Sequence, residues 1–179
     1  MNFENFLSAI TSPALRAVAA HWAVARDNRV MPSWQQLRPS QIAPYLPIIW
    51  VYKYDRETGT FIGRLAGDRI AQYFGKNFRG IRLEDVHPPA TLPRVQEMMT
   101  RGVTEPALYR TSGRLFRQGD RVAMGERIVL PLAGDGLHGD GLIGASDYEY
   151  ATPNPGYAPI ELIAEKEYWF SLAQDLAAA

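Results

Sequence analysis

Residues 59–86 read GTFIGRLAGDRIAQYFGKNFRGIRLEDV, and the hydrophobic period changes twice within that one stretch. Thr60, Phe61, Ile62, Gly63, Arg64 and Leu65 have the composition of a short strand. Gly67 and Asp68 then open a helical turn that carries Ile70, Ala71, Tyr73 and Phe74. Gly75 and Gly80 bracket a tight connection, after which Ile81, Leu83 and Val86 supply the apolar residues of one more short helix. A strand that gives way to short helices separated by glycines predicts an α+β domain in which a helical insert divides two groups of strands.

Upstream, Ile48–Tyr54 (IIWVYKY) is rich in β-branched and aromatic residues and ends in the turn Asp55-Arg56-Glu57-Thr58-Gly59. It predicts a hairpin with Thr60–Leu65. The four prolines between Val30 and Pro47 allow only short helical turns, and Leu37, Ile42, Tyr45 and Leu46 make this an ordered connector. Residues 2–27 predict two helical pieces. Phe3, Phe6, Leu7 and Ile10 share one face of the first; Ser12 caps the second, and Pro13 takes its first helical position. Leu15, Val18, Ala19, Trp22 and Ala25 then form an apolar stripe. Such a stripe packs either on the domain's own core or against a second copy, and self-association through the helix around Trp22 is the expectation carried forward.

Downstream, His87-Pro88-Pro89 marks a break, and Thr91–Val103 predicts a longer helix with Leu92, Val95, Met98 or Met99, and Val103 inward. Three strands are predicted over residues 107–116, 121–132 and 141–150. Pro153 and Pro155 end the sheet, and Ile160–Leu176 predicts a closing amphipathic helix.

Two strands, short helices, one longer helix and three strands is the order of a PAS domain. The wording RLAGDRIAQYFGKNFRGIRLEDV, with the lead-in MPSWQQLRPSQIAPYLPIIWVYKYD and the strand ERIVLPL, resembles the single-domain PAS proteins of the PAS_5 group from alphaproteobacteria. The resemblance covers about residues 30–150. It implies a five-stranded antiparallel sheet in the order 2-1-5-4-3 with the helices folded over one face. On this reading residues 1–29 form a helical leader, 30–152 the PAS-like domain and 153–179 a C-terminal helix.

The same resemblance implies a non-catalytic sensory or regulatory protein that binds a small molecule, a partner protein, or both, in signal transduction. The elements that surround a PAS cavity carry Tyr73, Phe74, Met98, Met99, Tyr109, Glu126 and Ile128, which are the candidate pocket residues. Two rival readings remain beside it: an NTF2-like isomerase or dehydratase, and a structural adaptor whose core is filled by side chains. The helical insert between the second and third strands fits the PAS order better than the NTF2-like one.

Glu126 stands out because in MGERIVLPL it shares strand parity with Ile128, Leu130 and Leu132. If those face the core, so does the carboxylate, and a buried charge needs a partner. Arg64 and Arg110 are the candidates, with a bound ligand as the alternative. The expected place for Glu126 is the space between the later strands and the longer helix.

Other chemistry is constrained by composition. Lys plus Arg equals Asp plus Glu at 19 each, so there is no net field to draw nucleic acid. The chain has no cysteine, which removes thiolate metal sites, thiol nucleophiles and a covalent chromophore. Phe78 stands at the place a light-sensing relative would use for a thiol, and flavin has no positive support. His21, His87 and His138 lack metal-ligand spacing, so no metal site is expected. His87 precedes the longer helix, where some PAS domains hold haem, but two following prolines favour a capping or surface role, and no cofactor is expected. Gly134, Gly136 and Gly139 fit a dinucleotide fingerprint, yet the run joins strand to strand and reads as a hairpin loop. The N-terminus lacks a signal-peptide pattern, no stretch predicts a membrane span, and the expected location is the cytoplasm.

Overall fold

The computed structural model describes residues 2–74, 78–150 and 160–173. The chain opens with α1 (Asn2–Ala9) and α2 (Pro13–Arg26). Ser12 lies in extended backbone and its Oγ accepts the Leu15 N–H, so the turn into α2 is fixed by cap and proline together. Two short 3-10 segments, Trp34–Gln36 and Pro39–Ile48, make up the proline-rich connector. Then come β1 (Ile49–Asp55), β2 (Thr60–Ala66), α3 (Asp68–Phe74), a 3-10 turn at Leu83–Asp85 and α4 (Leu92–Thr104). β3 (Ala107–Gln118), β4 (Arg121–Leu132) and β5 (Gly141–Tyr150) complete the expected set. Gly75 lies outside the described residues, as do the side chains of Tyr73 and Phe74.

All pairings are antiparallel, and the five strands lie in the order β2-β1-β5-β4-β3, as the resemblance implied. The tail differs. Ile160–Leu162 and Lys166–Ser171 are not helical but form β6 and β7, both pairing with β3. The reason lies in Tyr168-Trp169-Phe170, three β-favouring aromatics whose alternation sends Trp169 onto Tyr109 (4.7 Å between ring centres) and Phe170 onto Phe6 (5.4 Å). A period of two serves both faces of the sheet, which a helix could not do. Residues 153–159 and 174–176 lie outside the described residues.

The sheet is covered on both faces. On the inner face α4 and the short helices pack on Trp50, Tyr52, Phe61, Tyr109, Phe116, Val129 and Leu142. On the outer face α1 and α2 pack on Leu108, Ile128, Leu130, Leu132 and Ile143. Strand β4 is therefore buried on both sides toward its end, which explains why IVLPL reads as a continuous apolar run rather than an alternation.

Trp22 is wholly buried against its own sheet, and its indole N–H donates to the Pro131 carbonyl at 2.8 Å. The α2 stripe is thus occupied within the chain and is not the free surface that self-association through Trp22 requires. On the far side of the hairpin, the segment after Phe78 runs beside β2. Gly63 N–H donates to the Ile81 carbonyl and Gly80 N–H to the Gly63 carbonyl, both at 2.8 Å. A Cβ at Gly63 would lie 2.3 Å from the Phe78 carbonyl oxygen, so only glycine allows this approach.

Candidate functional site

Arg127 points to the inner face, where β4 sets it between Thr111 of β3 and Ser146 of β5 in register. Three polar side chains thus form a row across a face that is otherwise aromatic and aliphatic. Arg127 Nε donates to Ser146 Oγ at 2.9 Å, and Trp50 Nε1 donates to the same oxygen at 3.3 Å. The Trp50 ring reaches there by crossing Gly144, where a Cβ would stand 2.1 Å from a ring carbon. Phe116 lies beneath the guanidinium at 5.9 Å, edge-on to Tyr148 at 4.9 Å.

No carboxylate pairs with Arg127 among the described residues, and its two terminal nitrogens donate to none of them. The side chain is half-buried, with its guanidinium among the aromatic side chains of the inner face. Desolvation pulls its pKa below the ordinary arginine value, with Tyr109 and Tyr148 acting in the opposite sense.

Three more polar atoms on this face lack partners among the described residues. Thr111 Oγ1 is buried and meets none within hydrogen-bonding geometry, although Tyr109 lies near it. Tyr52 Oη is buried without a partner, and desolvation raises its pKa. His87 Nδ1 is also buried and unpaired, which corrects the expectation of a capping or surface histidine. Desolvation first, then the Arg127 cation, lowers the His87 pKa to about 4, so the ring is neutral at neutral pH. Tyr109 is better served: its hydroxyl donates to Glu167 at 2.6 Å, and Glu167 is paired with Arg94 at 3.1 Å. Burial, then Glu167, raises the Tyr109 pKa.

The outer face has the opposite character. Glu126 is 4% exposed and paired with Arg110, which is 8% exposed. The carboxylate also accepts the Ser12 N–H (2.8 Å), the Thr11 N–H (3.0 Å) and the Thr11 hydroxyl (2.9 Å). Burial alone would raise its pKa, but these donors and Arg110 outweigh burial and the net shift is downward. Opposite it in register, Asp147 accepts the Ser12 hydroxyl at 2.6 Å. The two carboxylates grip the cap of α2, where its positive dipole end favours them.

The sequence candidates thus fall on two sides of the sheet. Met98, Met99 and Tyr109 meet in the inner core. Ile128 lies in the outer core and Glu126 faces the leader, away from the longer helix where it was expected. Parity placed Glu126 inward correctly; the error was to assume one buried face. Of the two candidate partners Arg110 holds it, while Arg64 is exposed and stacks on Trp34 at 4.5 Å. Arg127, Ser146, Trp50 and Thr111 were not singled out, and His87 was weighed only as a haem, capping or surface residue. The signal was present in ERIVLPL: a run apolar on both parities places the intervening arginine on a buried face as well.

Residues 10–146 match the family model PAS_5, described as a PAS domain. The chain belongs to the PAS_5 family. No curated protein matches it. The PAS_5 match begins at residue 10, so α2 and its cap lie within the matched region, some twenty residues before the start expected from the sequence. β6 and β7 lie beyond it. Among the described residues of this PAS_5 chain no cluster of His, Cys, Asp or Glu could hold a metal ion, and no helix is long and apolar enough to cross a membrane.

Proposed function

We propose that this PAS_5 protein is a non-catalytic cytoplasmic sensor that takes a small molecule into the inner-face slot and reports its occupancy to a partner protein. The observation that carries this reading is the slot itself: a guanidinium whose terminal nitrogens have no partner among the described residues, near buried Thr111 and His87 atoms that also have none there, with the buried Tyr52 Oη on the same face. Buried polar groups are ordinarily satisfied, and a set left open together favours a ligand over plain core filling. Ser146 Oγ accepts from Arg127 and Trp50, with no histidine among its described partners, an arrangement for positioning rather than for activating a nucleophile.

The route outward is built into the register. Arg127 and Ser146 face the slot, while their chain neighbours Glu126 and Asp147 hold Thr11 and Ser12 of the leader. A shift of β4 or β5 on occupancy therefore reaches the leader within one residue. The partner then reads the outer surface of α2, where Val24 is 76% exposed.

Native mass spectrometry of the full chain purified from its own cells tests the reading. A small-molecule adduct that is lost on denaturation is expected. A bare polypeptide, with no thermal shift from any member of a broad metabolite library, overturns it.

A further inference from the structure

We propose that the molecule held in the slot is a small aromatic monocarboxylate, bound through a two-pronged contact with Arg127. This rests on the reading of the slot as a ligand site and adds the chemical class of the ligand. With Nε committed to Ser146 at 2.9 Å, Arg127 offers its two terminal nitrogens as a fork. A fork of that shape matches the two oxygens of a carboxylate, and its planarity is what distinguishes it from a lysine.

The charge count selects a monoanion. Arg127 is a cation without a described carboxylate partner, and neighbouring His87 is neutral at neutral pH, so one negative charge compensates the slot and two would leave an uncompensated anion in a desolvated place. Glu167, bonded to the Tyr109 hydroxyl at the Tyr109 end, further disfavours a second negative charge there. Arg94 already neutralises Glu167 and leaves no spare cation on that side.

The walls select an aromatic body. Trp50, Tyr109, Phe116 and Tyr148 all belong to the inner core, and Phe116 and Tyr148 already meet edge-to-face. A flat ring continues that packing and displaces water from apolar surface. The Thr111 hydroxyl and His87 Nδ1, both without partners among the described residues, are suited to hydrogen-bond a ring hydroxyl or ring nitrogen, which places simple aryl acids and their hydroxylated or indolic analogues in one class.

The test uses the full chain and reads Arg127 directly. In isotopically labelled protein the Arg127 Nε–H resonance is assigned by its loss in Arg127→Met, and benzoate, cinnamate and indole-3-acetate are titrated in the millimolar range, each beside its neutral amide and beside inorganic phosphate. The carboxylates are expected to shift that resonance and raise Tm, the amides and phosphate to do neither. Arg127→Met should abolish the rise in Tm, and Arg127→Lys, which keeps the charge without the fork, should weaken binding about tenfold. Equal responses to acid and amide, retained in Arg127→Met, overturn the monocarboxylate while leaving the slot as a ligand site. A response to phosphate instead of the carboxylates overturns the class in the same way. No response to any probe overturns both the class and the slot. If Arg127→Met does not fold, Arg127→Lys and the wild-type titration decide the question by themselves.

Discussion

Glu126 and Arg127 are consecutive residues that β4 sends to opposite faces of the sheet, so the two charges never meet. Glu126 closes an ion pair with Arg110 under the leader, whereas Arg127 faces the aromatic slot with no carboxylate among the described residues. One strand thus carries a structural charge and an available charge side by side, and each has its own test.

The Glu126–Arg110 pair is buried, so removing one member strands the other. Glu126→Gln should destabilise the protein by about 3–5 kcal/mol in urea unfolding, and adding Arg110→Met should recover much of that loss. Carboxylate binding at Arg127 should persist in the folded fraction. A single variant with an unchanged midpoint would show that the pair does not fasten the leader.

His87 gives the fold a pH dependence whose sign is fixed. Its folded pKa, about 4, lies below the ordinary histidine value of 6.5, so between these limits the unfolded chain binds more protons. The stability that neutral His87 contributes is fully present above pH 6.5 and is lost as pH falls toward 4, to a limit of about 3 kcal/mol. The stability difference between wild type and His87→Gln, measured across that window, should change with pH; a constant difference contradicts the burial of the ring.

The leader covers an apolar sheet face rather than projecting from it. Deleting residues 1–27 uncovers Leu108, Ile128, Leu130, Leu132 and Ile143, and the product should aggregate or unfold rather than behave as a smaller oligomer. Trp22→Ala alone should cost about 3–5 kcal/mol. A truncated chain that stays monomeric, with native melting behaviour in light scattering and calorimetry, would refute this.

Gly144→Ala drives a methyl group into the Trp50 ring. Overpacking of this kind costs about 1–3 kcal/mol, and here it should also move the indole off Ser146. The expected outcome is a lower melting temperature with a changed tryptophan emission spectrum. Wild-type emission and stability together would mean that Trp50 does not cross β5 at this point.

The five central strands, α4 and the Ser12–Pro13 entry into α2 were legible because local composition and tertiary demand agree there. Residues 166–171 were misread as part of a closing amphipathic helix, because the strand they form is fixed by β3, distant in sequence. Met98, Met99 and Tyr109 were found by apolar character; Arg127 was passed over because a sheet buried on one face has room for only one inward parity. The run apolar on both parities in ERIVLPL signalled a second buried face, but not that the leader would be what closes it. Tyr73 and Phe74 have side chains outside the described residues.

Exposed outer strands are ordinarily where sheet proteins recruit extended peptides or one another, through unpaired backbone groups. Here the middle of β2 is occupied by the chain itself, through the Gly63 bonds to Gly80 and Ile81, and β3 divides its outer side between β6 and β7. Strand addition to β2 at Gly63 would first have to displace a segment of this same chain, and at the other rim it would meet β6 or β7 rather than β3. Backbone pairing by another protein is thus kept away from β3 and from the Gly63 position of β2, and the strands nearest the slot are met there through side chains.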